Sequence, residues 1–233
     1  MTAISASAAE GNWWQKGNDL IQSLSGGSKQ GPLSTLEIGE GLKEALKVGT
    51  ETVVSRLGQV DGFNSDPSIH IPLPKSLETV NSVLRKVGMS SMLDDLETRL
   101  NRAAEEATPK AKAIFWQAIQ EMTLDDVKAI YNGPEDAATR YFQSKMSPAL
   151  TQEMKPVVET SLAEVGAVKA YDNVMGRYRS MPFVPDVKAD LTQHVIDKGL
   201  DGIFYYLARE EAAIRQNPAK RTTEILQKIF GAK

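Results

Sequence analysis

Three residues near the carboxyl end of the chain, His194, Asp197 and Asp201, have side chains that can bind metals or charged ligands. Their spacing places them on one stripe of an α-helix. Two carboxylates four residues apart repel each other, so a cation or an arginine must neutralise them if they are buried. We favour ion pairs with arginine over a small-ligand site, and a ligand site over a metal site. The candidate arginines are Arg140, Arg177 and Arg215.

A second group of polar residues could bind an anion near the end of the chain. Arg215, Lys220 and Arg221 lie close to the start of a predicted last helix, where Thr222 and Thr223 add hydroxyl groups. A basic turn is usually solvated, so an anion site at this turn is the weaker hypothesis. The predicted ligand-binding residues are therefore His194, Asp197, Lys198, Asp201, Arg140, Arg215 and Arg221.

Known catalytic motifs are missing from the sequence. It contains no Walker loop, no serine nucleophile elbow and no His-Glu-x-x-His pair. The Gly-Glu-Gly at residues 39–41 lies within a predicted amphipathic helix rather than after a strand, which excludes a dinucleotide fingerprint. Asp61, Asn64 and Asp66 lack EF-hand spacing, and we interpret them as turn-capping side chains. We therefore assign no catalytic residue, no metal site and no cofactor.

The composition is that of an ordinary globular protein. The chain has 233 residues, of which 41% are hydrophobic and 24% charged, and it is long enough for a sizeable core. Its net charge of −3 argues against nucleic acid as a partner, because phosphate binding needs a basic surface. No apolar run approaches the roughly 20 residues that span a bilayer. The absence of cysteine excludes disulfide bonds and thiolate chemistry.

Helical periodicity dominates the chain after residue 33. We predict an all-α protein, a compact bundle of about ten helices that forms one domain over residues 34–233. In this prediction Pro109 and Pro148 begin helices, and Pro156 kinks or breaks one. Thr123 with Asp126 predicts a capping box at the start of a short helix. A last helix follows residue 217.

Two glycines stand within the predicted helix over residues 190–216. Gly199 and Gly202 each cost helix stability of about 1 kcal/mol relative to alanine. They mark a face, together with Val195, Ile203 and Tyr206, that another helix can approach closely. We therefore expect this helix to be central in the bundle.

Residues 61–74, DGFNSDPSIHIPLP, separate two predicted helices. Pro72 and Pro74 lack backbone donors, so strand pairing is poor, and the proline rings fix an extended path. We predict an extended belt laid across helices, with Ile69, Ile71 and Leu73 inserted into their grooves. The alternative is a dimer contact made by the same three side chains.

The first 33 residues are predicted to form a partly flexible N-terminal arm. Within this arm, Ala6-Ser7-Ala8 has the form of a signal-peptidase site, although a basic region and a long apolar region are missing. On these residues alone the arm is either a disordered tail or the remnant of an export signal, and we favour the tail.

Several segments, in order along the chain, resemble one bacterial protein family. They are GLKEALKVGTETVVSRLG, DGFNSDPSIHIPLP, LNRAAEEATPKAKAIFWQAI, NGPEDAATRYF, DKGLDGIF and RTTEILQKIFG. From about residue 34 to its carboxyl terminus the chain resembles domain-of-unknown-function family 4197. The resemblance implies an exported envelope protein, so it favours the export interpretation of Ala6-Ser7-Ala8. It implies no activity and no catalytic residue.

The sequence leaves three functions open. The leading hypothesis is a non-enzymatic helical protein of the bacterial periplasm or envelope that binds a partner protein, or a small apolar or anionic ligand, between helices. The second is a hydrolase of unrecognised type that uses Asp197 and Asp201, with Arg140 as an electrophile. The third is a structural homo-oligomer joined through residues 63–73.

Overall fold

A computed structural model of the chain describes residues 35–185 and 189–216. These residues form seven α-helices and a single 3-10 turn at Lys75–Leu77, and no strand occurs among them, which confirms the all-α class. None of the described helices has the length and apolar character needed to cross a membrane. The helices are α1 (Thr35–Leu57), α2 (Glu78–Lys86), α3 (Ser90–Glu121), α4 (Leu124–Asn132), α5 (Ala137–Glu164), α6 (Ala167–Arg179) and α7 (Leu191–Gln216).

The prediction of about ten helices is wrong because prolines lie inside helices. Pro109 lies within α3, and Pro148 and Pro156 lie within α5, so two predicted pairs of helices are each continuous. An interior proline removes one backbone hydrogen bond and costs about 3 kcal/mol. All three prolines are exposed, so water can hydrogen-bond the freed carbonyl groups on the solvent side of each helix. The last predicted helix, over residues 218–231, lies outside the described residues.

The core of the bundle joins α3, α5 and α7. The ring of Phe115 in α3 meets the rings of Phe142 in α5 and Phe204 in α7 edge to face, each at a centroid distance of 5.9 Å. All three rings are buried. Such pairs contribute about 0.5–1.5 kcal/mol beyond the burial of their area. The helix α7 packs against α1, α3 and α5, as expected for a central helix, and α3 is equally central.

The segment over residues 61–74 is extended only in its second half. Its first half forms successive turns, in which the amides of Asp66 and His70 donate to carbonyl groups three and four residues earlier. Asn64 donates to Asp61 at 3.0 Å, and Asp66 accepts from the amide of Ser68 at 3.0 Å, which confirms the turn-capping interpretation. Asp, Asn and Ser favour turns because their side chains bond nearby backbone groups, and the extended part of the belt is correspondingly shorter than predicted.

The apolar side chains of the belt point into the bundle. Ile69 and Ile71 are buried, and Leu73 is partly buried against the core, which confirms the intramolecular belt. Phe63, which the sequence analysis did not single out, has no exposed surface. Because the chain's own helices bury Ile69 and Ile71, these two side chains are not available for the alternative dimer contact.

Gly202 accommodates the belt rather than another helix. A β-carbon at Gly202 would lie 2.7 Å from Cε1 of Phe63 and 3.2 Å from Cβ of Ile69. The close approach predicted for this face therefore exists, but side chains of the belt make it. Gly199 is also buried, yet a β-carbon at Gly199 would meet no neighbouring side chain or element within 4 Å.

Alanine at these two glycines is expected to have opposite effects on stability. Gly199→Ala should raise the free energy of unfolding by about 1 kcal/mol, because alanine favours helix and its methyl group meets no obstacle. Gly202→Ala should lower it by about 1–3 kcal/mol, because the added carbon displaces Phe63 and Ile69 from buried positions. Urea unfolding followed by far-ultraviolet circular dichroism measures both changes. Equal stabilisation by the two substitutions would contradict close packing at Gly202.

Candidate functional site

The predicted acidic stripe lies on the solvent-exposed face of α7. Asp197, Lys198 and Asp201 are all exposed. Lys198 Nζ lies 3.1 Å from Asp201 Oδ2, and Gln193 Nε2 donates to Asp197 Oδ1 at 2.7 Å. Each carboxylate therefore has a polar partner on its own helix. Among the described residues neither aspartate pairs with an arginine, so the expected ion pairs with arginine are not formed.

His194 contacts the belt rather than the two aspartates. Its Nε2 lies 2.7 Å from the carbonyl oxygen of Pro72. When the imidazole carries its proton on Nε2, it donates a hydrogen bond to that carbonyl. The first turn of α7 is thereby tied to the extended half of the belt. His194 thus contributes to the position of the belt.

Arg140 and Arg215 lie near the start of α5, away from the acidic stripe. Arg140 Nε donates to Asp136 Oδ2 at 2.8 Å on the exposed surface. Asp201 and Arg215 are 14 residues apart on α7, which corresponds to about 21 Å along the helix axis. Thr139, the neighbour of Arg140, bonds Glu211, which lies ten residues from Asp201 and so about 15 Å from it along α7. Arg140, the electrophile of the hydrolase hypothesis, therefore does not lie beside the two aspartates. Arg221 lies outside the described residues.

A buried carboxylate caps the start of α5. Glu211 of α7 accepts from the amides of Ala138 and Thr139 at 2.9 Å each, and from the Thr139 hydroxyl at 3.0 Å. Arg215 Nη2 lies 2.9 Å from its Oε1, and the two side chains are only 11% and 8% exposed. The first amides of a helix have no partner within that helix. Glu211 satisfies two of them from another helix and fixes α7 against α5.

Polar side chains that recur every four residues on α3 hold the belt in place. We call Glu97, Asn101 and Glu105 the belt latch. Asn101 Oδ1 accepts from the amide of Ile71 at 2.8 Å, and its Nδ2 donates to the carbonyl of Ile71 at 2.8 Å. Both backbone groups of Ile71 are thus paired as a neighbouring strand would pair them. Asn101 has no exposed surface.

The two glutamates of the belt latch accept hydrogen bonds from other amides of the belt. Glu105 Oε1 accepts from the amides of Phe63 and Asn64 at 3.0 Å each. Glu97 Oε2 accepts from the amide of Leu73 at 3.0 Å. The signal for the belt latch is visible in the sequence, as polar residues at a spacing of four within a buried helix. These three residues were not predicted as a group.

A polar recess of about 410 Å³ lies between α1, the belt and α7. We call it the arginine–tyrosine recess. Its volume falls within the usual range of small-molecule sites. Two guanidinium groups and several hydroxyl groups meet in it. The lining residues are Thr52, Val53, Arg56, Ser68, Tyr206, Arg209, Glu210 and Ala213.

The charge of Arg56 is balanced by the carboxylate of Asp66. Its guanidinium carbon lies 4.3 Å from the centroid of the Tyr206 ring, and its Nη2 lies 3.6 Å from Asp66 Oδ2. Tyr206 donates a hydrogen bond to Asp66, and this bond raises the pKa of Tyr206. Burial alone would raise the pKa of Asp66, but hydrogen bonds from Tyr206 and Ser68 and the charge of Arg56 lower it overall. Asp66 is therefore an anion beside Arg56 at neutral pH.

Arg209 is oriented by Tyr205, one helical turn earlier. Its guanidinium carbon lies 5.3 Å from the centroid of the Tyr205 ring, and its Nη1 donates to the Tyr205 hydroxyl at 2.7 Å. Hydrogen bonds from Ser68 and then from Arg209 lower the pKa of Tyr205. No carboxylate within the described ranges forms an ion pair with Arg209. Its guanidinium group is thus held in place without an acidic partner there.

The arginine–tyrosine recess has the chemistry of an anion site. Guanidinium groups bind carboxylate and phosphate oxygens through paired, charge-assisted hydrogen bonds. Thr52 donates its own proton to the carbonyl of Val48 at 2.9 Å, and Ser68 also lines the recess. Glu210 adds one carboxylate to the lining, which disfavours ligands with several negative charges.

Residues 32–231 match the model of a protein family whose description is "Protein of unknown function (DUF4197)". The match covers most of the 233 residues and agrees with the resemblance carried by the ordered sequence segments. No curated protein and no solved structure gives a match to this chain. The chain belongs to the DUF4197 family of proteins of unknown function.

Proposed function

We propose that this protein is a non-enzymatic, exported helical protein of the bacterial envelope that binds the anionic group of a small ligand in the arginine–tyrosine recess. The observation that carries the proposal is Arg209, a guanidinium group held against Tyr205 with no acidic partner among the described residues. Such an oriented group loses little side-chain entropy when it binds an anion. Ser68 lines the same recess, and its hydroxyl group can donate to an anion in place of Tyr205.

The charges of the recess favour a ligand with one negative group. Asp66 pairs with Arg56, so Arg209 supplies the positive charge that a ligand meets. Glu210 lies next to it along the chain and repels additional negative charge. A small carboxylate or a singly charged phosphate ester fits this balance better than a nucleotide with several phosphates. The volume of about 410 Å³ is also that of a small molecule.

Anion binding to the recess is tested with acetate and inorganic phosphate as probes, each titrated separately against the ¹⁵N-labelled protein. Amide shifts near Arg209 should saturate with one or both probes, and the stronger probe identifies the carboxylate or phosphate class. Arg209→Gln should weaken that binding by about tenfold or more, because a charge-assisted hydrogen bond contributes about 1.5–3 kcal/mol.

Arg179→Gln is the matched control, because it removes one exposed arginine from the end of α6. It should leave binding unchanged within about twofold, since screening at physiological salt limits distant charges. Equal weakening by both substitutions would indicate a general charge effect and would contradict the site. Titrations without any shift near Arg209 would contradict it as well.

Export is the second part of the proposal. It is supported by the signal-peptidase form of Ala6-Ser7-Ala8 and by what the family resemblance implies about location. Fractionation of the bacterium that encodes the chain, with an antibody against it, should recover the protein with periplasmic or envelope markers. Recovery only with cytoplasmic markers would contradict export, but it would not contradict anion binding in the recess.

A further inference from the structure

A groove of about 670 Å³ runs along the outer surface between α3 and α5. We call it the α3–α5 groove. Its lining residues lie between positions 113 and 121 on α3 and between positions 141 and 153 on α5, together with Asp126 of α4. The stretch of α5 is about 18 Å long, a little more than three turns of helix. The α3–α5 groove shares no lining residue with the arginine–tyrosine recess.

The floor of the α3–α5 groove consists of small and apolar side chains. Ala113 and Ala118 come from α3, and Ala149 comes from α5. Met146 of α5 is buried, and Ile114 of α3 is partly buried. Small side chains on two adjacent helices let the backbone of a third helix approach closely. A groove of this kind binds the apolar face of an amphipathic helix.

The rim of the α3–α5 groove is acidic. Glu121, Asp126 and Glu153 place three carboxylates along it, and Lys145 is the one basic residue of the lining. Burial, followed by the charges of Asp126 and Glu121, raises the pKa of Tyr141 in the same groove. Burial is the largest cause of this change, and the contributions of Asp126 and Glu121 agree with a negative potential at this end. The charge of the groove therefore complements a basic ligand.

We propose that the α3–α5 groove is a docking site for a three-turn amphipathic helix of a partner protein, apolar on one face and rich in lysine or arginine on the other. The apolar face packs on the alanine floor, and the basic side chains lie beside the carboxylates of the rim. Docking in the α3–α5 groove is independent of anion binding in the arginine–tyrosine recess, so either can fail alone.

A synthetic peptide of about 14 residues, with leucine and alanine on one face and lysine on the other, is the probe for this site. The same peptide with glutamate in place of lysine is its control. Fluorescence anisotropy of each labelled peptide with the full chain measures binding at physiological salt. The lysine peptide is expected to bind and the glutamate peptide is not. Equal affinity for both peptides, or no binding of the lysine peptide, would overturn the proposal.

Two charge-reversal variants show whether the peptide recognises the acidic rim or the net charge of the protein. Glu153→Lys should weaken binding of the lysine peptide by about tenfold or more, because it places like charges together. Asp172→Lys makes the same change in net charge at an exposed position of α6 and should leave binding within about twofold. Similar weakening by both substitutions would mean that the peptide recognises overall charge, and the proposal would fall.

Filling the floor tests the groove without changing charge. Ala149→Leu should abolish binding of the lysine peptide, whereas Ala163→Leu, at another exposed position of α5, should not. Circular dichroism should show unchanged helix content in both variants. Native mass spectrometry gives the oligomeric state of the unmodified chain. A dimer that Ala149→Leu converts to a monomer would make a second copy the occupant and would refute docking of a partner.

Discussion

Glu105→Ala is expected to lower the free energy of unfolding by about 3 kcal/mol. The side chain of Glu105 is 4% exposed, and its Oε1 accepts from the amides of Phe63 and Asn64 at 3.0 Å each. Alanine removes this acceptor from both amides, and the amide of Phe63 lies in a buried position. The substitution also removes the carboxylate that lies 2.6 Å from Arg102. Loss of the two amide bonds detaches this part of the belt from α3.

Glu106→Ala is the matched control, because the two glutamates are neighbours on the same helix. Glu106 is exposed as a residue. A hydrogen bond with Glu164, and then partial burial of its carboxyl group, raises its pKa. Its removal relieves repulsion between two carboxyl groups and leaves the belt latch intact. Its effect on the free energy of unfolding should stay within about 0.5 kcal/mol. Urea unfolding at neutral pH measures the difference between the two variants.

Limited proteolysis locates the effect of Glu105→Ala in the belt. Release of residues 61–74 from α3 should make them cleavable, because local opening exposes backbone that the native fold protects. Glu105→Gln should be less severe, since its side-chain carbonyl can still accept from both amides. Equal destabilisation by Glu105→Ala and Glu106→Ala would contradict the role of the belt latch. A belt that stays resistant to protease in Glu105→Ala would do the same.

Features of the fold that depend on residues close together in the chain were predictable from the sequence. The spacing of Thr123 and Asp126 predicted a capping box, and the reciprocal hydrogen bonds of such a box are present at the start of α4. The helical class follows from the spacing of apolar residues in the same way. Each of these signals lies within one or two turns, so tertiary contacts do not need to be known in advance.

Helix boundaries at the prolines were not predictable by the same reasoning. Pro109 lies between Ala107 and Ala111, and both alanines are buried in the core. Burial of residues before and after the proline stabilises one continuous helix more than the lost hydrogen bond destabilises it. Only knowledge of the packing around α3 reveals that balance. The same holds for Pro148 and Pro156 in α5.

The candidate site was missed because its residues come from distant parts of the chain. Arg56 Nη2 lies 3.4 Å from the hydroxyl of Tyr206, although 150 positions separate the two residues. No local spacing connects them, whereas His194, Asp197 and Asp201 attracted attention because their spacing is local. A weak local signal did exist, since Tyr205 and Arg209 lie one helical turn apart.

Glu211→Ala is expected to lower the free energy of unfolding by about 3–5 kcal/mol. Glu211 accepts from the amides of Ala138 and Thr139, from the Thr139 hydroxyl, and from Arg215. Its carboxylate also lies at the positive end of the α5 dipole, where a negative charge is favourable. Alanine removes all of these interactions from a side chain that is only 8% exposed. Urea unfolding measures the loss.

Asp136→Ala is the control for Glu211→Ala, because it removes another carboxylate from the start of the same helix. Asp136 pairs with Arg140 at 2.8 Å, but it makes no side-chain capping bond to the backbone. The Arg140 side chain is 67% exposed, and an exposed ion pair of this kind contributes about 0.2–1 kcal/mol. Similar losses in the two variants would mean that the dipole, rather than buried capping, explains the effect.

A double-mutant cycle with Thr139→Val isolates one hydrogen bond of Glu211, the one from the Thr139 hydroxyl, from its other interactions. The Thr139 hydroxyl donates to Glu211 Oε2 at 3.0 Å, and valine keeps nearly the same shape without the hydroxyl group. We expect a coupling energy of about 1 kcal/mol between Thr139→Val and Glu211→Ala, because both remove the same hydrogen bond. Additive effects would mean that the Thr139 hydroxyl contributes nothing, and would leave the contribution of Glu211 in its bonds to the two backbone amides and to Arg215. Coupling would show that Glu211 of α7 and the Thr139 side chain of α5 stabilise each other, which ties the packing of α7 to the first turn of α5.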